Sequence, residues 1–261
     1  MTTRATISGS RLAAGADSFV RWRPYASITG NPYSFAHTPL IHRMRLATIS
    51  QSILEAMKKH KIIPDVVDDF VPSSLLSVDY SDGHNAALGN ALHHSVASNI
   101  PKFSITHINE HETPPPSLLS PSLRFTIVMT NPDAPPISDA HISSHFAHFI
   151  ISGLRVTPTQ SAAEFNTPTG DGSEPVAPLN GQVLLDYQLP IHDGPTRRHR
   201  CVFLLYREDG RNVPKSPNER HNWGFGSAVG GAREWAGLYG LTLIGANFFY
   251  IQNELAPSPV K

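Results

Sequence analysis

The chain has 261 residues, of which 40% are hydrophobic and 16% are charged, which suits one large globular domain or two small ones. Lys and Arg together number 21, as do Asp and Glu, so the formal net charge is zero. Without a net positive charge to attract it, nucleic acid is not expected as a partner. A single cysteine excludes an intrachain disulfide and predicts a reducing, cytoplasmic location, and no apolar run reaches the roughly 18 residues of a transmembrane segment.

The first 45 residues are predicted to form a separate region. Its arginines, set against the single acidic residue Asp17, are Arg4, Arg11, Arg21, Arg23, Arg43 and Arg45. An Arg-rich, acid-poor composition is typical of mitochondrial transit peptides, and a disordered extension or a gene model begun upstream of Met44 stay open as alternatives. We therefore predict an extension over residues 1–45 and a folded domain over residues 46–256, with a mitochondrial location as the alternative to a cytoplasmic one.

Short strands separated by turns are predicted for most of the remaining chain, in keeping with 23 prolines and 18 glycines. A first helix is predicted over residues 50–61, where apolar residues recur every four positions and Ser52 and Glu55 have the spacing of a capping box. The predicted strands lie at residues 75–83, 102–108, 125–130, 145–151, 182–189, 201–206 and 241–252. The run at 201–206 is apolar at consecutive positions, as in a strand covered on both faces. A second helix is predicted over residues 232–239, ending at Gly240.

Two features superficially suggest a cofactor or a metal site. The glycines from Gly224 to Gly231 precede a helix, but the run before them is polar, whereas a dinucleotide loop follows a buried strand. His141, His145 and His148 would share a face on a helix, but the period of two on a strand separates His145 from His148. We therefore predict no cofactor and no metal ion.

Six blocks of the sequence carry a resemblance to a known family. “TIVMTNPDAPP”, “FAHFIISGL” and “HRCVFLLYRE” resemble the Asp-Pro-Asp-Ala-Pro signature, the next strand and the His-Arg block of the phosphatidylethanolamine-binding protein family. “LLSVDYSDGHNAALGNAL”, “RHNWGFGSAVGGAREWA” and “LTLIGANFFYIQNE” resemble its fungal branch, typified by the yeast carboxypeptidase Y inhibitor. The resemblance covers roughly residues 48–254 in unbroken order. It implies a mainly β protein, namely a β-sandwich of antiparallel sheets with a few peripheral helices.

The resemblance also implies a small anion pocket beneath a proline-rich loop. The prolines of “NPDAPP” restrict φ and would hold this loop in one conformation before a ligand binds. His148 and His199 match two pocket histidines of the family. Two imidazoles and nearby N–H groups can bind a phosphate, a phospholipid headgroup or another small anion through charge-assisted hydrogen bonds. The residues expected to contact the ligand are Asn131, Asp133, Pro135, Phe146, His148, His199 and Cys201, and those expected at the rim are Arg197 and Arg198.

Three positions depart from the family pattern. Asn131 stands where the signature has its first Asp, which removes a carboxylate and lowers the pKa of any histidine that it supported. Cys201 stands in place of a tyrosine, and its position at the head of an apolar strand predicts a buried, inert thiol. Arg197 replaces a glycine before the His-Arg block, and with Arg198 it either adds positive charge at the rim or belongs to a solvated loop.

These features favour a non-enzymatic binding and regulatory protein, because no nucleophile, base and orienting group form a coherent set in the sequence. The predicted partners are a small anion in the pocket and, at the surface, a serine carboxypeptidase that the protein would inhibit. A different alternative is an accessory protein that assists a dimerising enzyme of fungal polyketide biosynthesis. A third is a mitochondrial scaffold or a ribosome-associated homologue.

Overall fold

The secondary structure is dominated by strands, in a computed structural model that describes residues 40–108, 122–135, 144–155, 180–190, 198–226 and 230–252. The helices are α1 (Leu40–Lys59), α2 (Ile62–Asp65) and α3 (Ala232–Leu238). The strands are β1 (Ser74–Asp79), β2 (Asn90–His93), β3 (Lys102–His107), β4 (Phe125–Ala134), β5 (Ser144–Leu154), β6 (Gln182–Leu185), β7 (His199–Arg207) and β8 (Thr242–Gln252). Residues 1–39 lie outside the described ranges, so the Arg-rich extension stays a prediction.

The described strands form two sheets. The larger has the order β2-β8-β7-β4-β5-β6, and β1 pairs with β3 in a separate antiparallel sheet. Neighbours in the larger sheet are antiparallel, except that β2 runs parallel to β8. The predicted mainly β architecture with few helices is confirmed, with this one parallel pair as an addition.

The larger sheet is the middle layer of the fold, because side chains on its two faces belong to two different hydrophobic clusters. Along β7, Cys201, Phe203 and Leu205 pack into the cluster that contains the β1–β3 sheet. The alternate residues of β7 pack into the cluster that contains α1 and α3. The apolar run at residues 201–206 is therefore covered on both faces, as predicted.

Helix α1 differs from the prediction mainly at its start, whereas α3 begins at the predicted Ala232. Helix α1 begins at Leu40 and runs across the boundary predicted between residues 45 and 46. Ser52 lies inside this helix, and its hydroxyl donates to the Thr48 carbonyl at 2.8 Å, so the capping box predicted from Ser52 and Glu55 is wrong. Helix α3 ends as predicted, with Gly240 at a φ of 64°. No helix in the described ranges is both long and apolar enough to cross a bilayer.

Strand β2 was not anticipated from the sequence. Its four residues, Asn-Ala-Leu-His, offer no regular alternation of apolar and polar side chains. The strand forms because its backbone pairs with β8, from Asn90 opposite Phe249 to His93 opposite Gln252. Its existence therefore depends on a partner that comes much later in the chain.

Arg200, on β7, connects three parts of the structure. Its Nε and Nη2 donate to the two carboxylate oxygens of Asp133, on β4, at 2.9 and 2.7 Å. Its Nη1 donates to Asp65 at 2.9 Å and to the carbonyl of Lys61 at 2.9 Å. Burial alone would raise the pKa of Asp133, but the hydrogen bonds and charge of Arg200 outweigh this effect and hold the pKa below its usual value. The pair fixes the end of β4 against β7 and against the junction of α1 and α2.

This ion pair should contribute much more to stability than an exposed pair does. The side chains of Arg200 and Asp133 are 12% and 28% exposed, whereas those of Lys58 and Asp69 are 55% and 67% exposed. We expect Asp133→Asn to lower the free energy of unfolding by about 2 kcal/mol, because a mostly buried guanidinium loses its two-point carboxylate partner and keeps only the single carboxylate contact to Asp65. The matched change Asp69→Asn should cost less than about 1 kcal/mol. Urea denaturation measures both values, and equal losses would contradict the assignment.

Candidate ligand-binding pocket

A cavity of about 200 Å³ opens beside the ends of β4 and β5. The residues that line it are Asn131, Ala134, Pro135, Phe146, His148, Gln188, Leu189 and His221. Four residues predicted from the sequence are among them, namely Asn131, Pro135, Phe146 and His148. The proline-containing end of β4 therefore does border a hollow, and His148 faces it from the neighbouring strand.

His148 occupies a β-bulge. Met129 pairs with Phe149 and the next residue, Thr130, pairs with Ala147, so His148 is an extra residue on β5 between two successive pairs. Bulges re-aim a side chain and free backbone groups from the ladder. The freed carbonyl of His148 accepts from the backbone N–H of Gln188 at 2.9 Å.

The ring of His148 is held in one tautomer. Its Nδ1 lies 2.8 Å from the carbonyl oxygen of Gln188. Because a carbonyl can only accept, Nδ1 carries the hydrogen, and Nε2 of the neutral ring is left with a lone pair. The residue is 3% exposed, and its buried Nε2 has no hydrogen-bond partner among the described residues. A buried acceptor without a partner, at the wall of a cavity, indicates a ligand or water position.

His148 is uncharged at neutral pH. Burial lowers its pKa to about 4, opposed by the hydrogen bond to Gln188 and reinforced by the nearby positive charge of Arg220. The direction agrees with the lowering expected from the loss of a carboxylate at position 131, but burial is the largest cause. The predicted charge-assisted hydrogen bond from His148 to an anion therefore requires a proton that the free ring does not hold at pH 7.

Asn131 controls the second histidine. Its Oδ1 accepts from the backbone N–H of Asp133 at 2.8 Å, which fixes the orientation of the amide. Its Nδ2 therefore points to Nδ1 of His199 at 3.3 Å. Since an amide NH₂ can only donate, Nδ1 of His199 accepts and the ring is neutral. An aspartate at this position would instead accept a hydrogen bond from the N–H of the ring.

Three residues predicted to contact a ligand are not among those that line the cavity. Asp133 is held by Arg200, His199 is 2% exposed and sits behind Asn131, and Cys201 is fully buried in the core. Burial raises the pKa of the Cys201 thiol well above its usual value, in keeping with an inert thiol. None of the three is part of the lining, so the cavity gives no support to direct ligand contact by them.

The predicted rim is described only in part. Arg198 is exposed, whereas Arg197 lies outside the described residues, as does His141. His145 and His148 are both on β5, but His145 packs against Gly231 at the start of α3, away from the residues that line the cavity. The predicted separation of these two histidines is thus confirmed.

Four lining residues were not predicted from the sequence, namely Ala134, Gln188, Leu189 and His221. Gln188 contributes through its backbone, for which side-chain identity gives no signal. The ring of His221 meets the edge of Phe146 at a centroid distance of 4.7 Å. Its neighbour Arg220 donates from Nη1 to the carbonyl of His148 at 3.2 Å. The sequence signal for His221 is its place in the block “RHNWGFGSAVGGAREWA”, which resembles the fungal branch of the family.

Comparison with known proteins decides the family. A family profile described as “Phosphatidylethanolamine-binding protein” matches residues 82–249, which is more than half of the chain. The chain belongs to the phosphatidylethanolamine-binding protein (PEBP) family. The matched range contains every residue that lines the pocket. The resemblance inferred from the sequence blocks is therefore confirmed, and so is the PEBP-like fold.

Two PEBP-family relatives share most of their length with this protein. It is 31% identical to the carboxypeptidase Y inhibitor of Saccharomyces cerevisiae over 215 residues, 78% of this chain and 97% of the inhibitor. It is 28% identical to the protein FLOWERING LOCUS T of Arabidopsis thaliana over 210 residues, 79% of this chain and 95% of that protein.

Two solved PEBP-family structures have a similar fold. The crystal structure of the carboxypeptidase Y inhibitor complexed with its cognate proteinase matches with a TM-score of 0.62 at 28% identity, covering 78% of this chain and 97% of the inhibitor. A phosphatidylethanolamine-binding protein from Plasmodium vivax matches with a TM-score of 0.56 at 18% identity, covering 77% and 97%. The second likeness concerns the fold alone.

The low pKa of His148 should make stability depend on pH. Between the unfolded pKa of about 6.5 and the folded pKa of about 4, the unfolded state binds the extra proton, so stability falls as the pH falls. Replacing the ring by His148→Gln removes this proton uptake. Between pH 6.5 and pH 4.5 we expect the wild type to lose about 2 kcal/mol more unfolding free energy than the variant. Urea denaturation at a series of pH values measures the difference, and parallel curves would show that the ring is not buried as described.

Proposed function

We propose that this PEBP-family protein is a non-enzymatic binding protein whose pocket takes a small phosphate-bearing ligand. The observation that carries the proposal is the buried Nε2 of His148, which lines a cavity and has no hydrogen-bond partner among the described residues. The cavity, of about 200 Å³, is smaller than the roughly 300–1,000 Å³ of pockets for drug-sized molecules. A headgroup or a free phosphate compound suits this volume.

The charges around the cavity favour a negatively charged ligand. No lining residue in the described part of the chain is Asp or Glu. Arg220 donates from its guanidinium to the backbone carbonyls of Ala147, His148 and Asp186, and its positive charge acts on the His148 ring. The carboxylate of Asp133 is paired with Arg200. An anion in the cavity would therefore lie near the positive charge of Arg220, which Asp186 partly offsets, while the carboxylate of Asp133 is already neutralised.

The composition of the lining supports a binding role over catalysis. Among the described lining residues there is no Ser, Thr, Cys or Lys that could serve as a nucleophile. Nδ1 of His148 is bound to a backbone carbonyl, whereas a histidine that acts as a general base is commonly oriented by a carboxylate. The ring is thus suited to accept a hydrogen bond from a ligand.

Direct titration tests the pocket. We expect phosphoethanolamine to bind the wild type and to bind His148→Ala at least about tenfold more weakly, because the variant lacks the buried acceptor. His84→Ala, which removes an exposed histidine, is the matched control and should bind as the wild type does. Isothermal titration calorimetry gives the three affinities. Indistinguishable curves for the wild type and His148→Ala would remove the pocket from the proposal.

A second candidate function is inhibition of a serine carboxypeptidase. It is favoured by the similarity to the Saccharomyces cerevisiae carboxypeptidase Y inhibitor, which this chain matches over 97% of the inhibitor's length in sequence and in structure. The described geometry adds nothing specific for the two other predicted roles, in polyketide biosynthesis and in mitochondria, which stay predictions from the sequence.

An enzyme assay tests the inhibitor role. We expect the turnover of carboxypeptidase Y on a peptide substrate to fall as this protein is added, because the shared fold extends over nearly the whole inhibitor. Bovine serum albumin at the same concentration controls for non-specific effects. Unchanged turnover in micromolar excess of the full chain would dispose of this candidate.

A further inference from the structure

The protonation state of His148 limits which ligand groups can form a hydrogen bond with its ring. The carbonyl of Gln188 accepts the Nδ1 hydrogen, and the backbone N–H of the same residue donates to the carbonyl of His148. The two bonds hold the ring and its peptide together, so rotating the ring to present Nδ1–H to the cavity would break one of them. In the cavity the neutral ring can therefore only accept a hydrogen bond, through Nε2.

The surroundings of the ring oppose its protonation. The charged and titratable side chains around it are Arg220, Asp186, His199, His221 and the Asp133–Arg200 ion pair. The fixed positive charge of Arg220 repels a second positive charge on the ring. Asp133 is already paired with Arg200, so its carboxylate does not stabilise an imidazolium at position 148. A ligand that needs a donor from His148 would thus have to supply the proton itself.

Building on the proposed pocket function, we propose that the site selects a phosphate that carries its own proton, that is, a phosphomonoester monoanion, over a phosphodiester or a sulfate ester. The P–OH group of the monoester donates to Nε2 of His148, and the charged oxygens remain in the field of Arg220. A diester has the same single negative charge but no P–OH group, so Nε2 stays without a partner when it binds. A buried polar atom left unpaired lowers affinity substantially.

Two ligands of equal charge test this selection. At about pH 5.5 methyl phosphate is mostly a monoanion with one P–OH group, because its second ionisation has a pKa near 6, and dimethyl phosphate is a monoanion with none. We expect the wild type to bind methyl phosphate at least about tenfold more tightly. Ethyl phosphate is the control for size and should bind like methyl phosphate.

The pH dependence provides a second measurement on the unmodified protein. Above about pH 6, where the monoester loses its proton, its affinity should fall by about tenfold per pH unit, while the affinity for dimethyl phosphate should stay constant. The tautomer is checked separately by ¹⁵N nuclear magnetic resonance, which should show a protonated Nδ1 and an unprotonated Nε2 for His148. A protonated Nε2 in the free protein would overturn the proposal.

The outcomes separate this inference from the pocket function. Equal affinities for methyl and dimethyl phosphate would overturn the inference and leave the pocket intact. Binding of neither at millimolar concentration would remove the pocket function and the inference together. Phosphoethanolamine and glycerophosphoethanolamine distinguish a free monoester from a lipid headgroup, which is a diester. If the diester binds as tightly as the monoester, the selection for P–OH is wrong.

Discussion

The chemistry of the pocket depends on two hydrogen bonds between His148 and the backbone of Gln188. One bond satisfies the carbonyl that the bulge frees from the ladder, and the other fixes the ring tautomer. Arg220 reinforces the arrangement by donating to the same carbonyl. Without the bulge, position 148 would continue the regular pairing of β5 with β4. Ring position, tautomer and the open acceptor therefore follow from one irregularity in the sheet.

The surrounding residues also determine the charge of the two histidines. Asp133 could have supplied negative charge to the site, but Arg200 uses both of its carboxylate oxygens. Asn131 adds an amide whose two ends are already directed, one to a backbone N–H and the other to His199. Both histidines are consequently uncharged, and the nearby positive charge comes from arginines that bind protein groups. On the proposed function, an anionic ligand would therefore have to carry the proton that His148 lacks.

Local patterns in the sequence predicted the parts of the fold that are locally determined. The run at residues 201–206 and the end of α3 at Gly240 were recognised because burial and the C-cap conformation act on consecutive residues. The capping box at Ser52 failed because helix α1 continues upstream to Leu40. Strand β2 was missed because only its pairing with β8 makes it a strand. A strand that depends on long-range pairing, such as β2, cannot be predicted from a local pattern.

The same reasoning explains which pocket residues were predicted. Pro135 and His148 lie in two neighbouring blocks whose resemblance to the family assigned both to one pocket. Gln188 is 40 residues beyond His148 and acts through its backbone, so no side-chain pattern reveals it. The pairing of Asp133 with Arg200, 67 residues away, was not predicted, because a carboxylate in a signature gives no indication of what neutralises it.

The walls of the pocket come from segments that are distant in the chain, which suits regulation by a ligand. His148 belongs to β5, Gln188 follows β6, and His221 precedes a 3₁₀ turn at Asn222–Gly224. A molecule in contact with all three adds links between segments that are otherwise joined by a few hydrogen bonds. At a hundred times its dissociation constant such a ligand stabilises the folded state by about 2.7 kcal/mol. On the proposed function, this stabilisation would act on the segments that form the walls of the pocket.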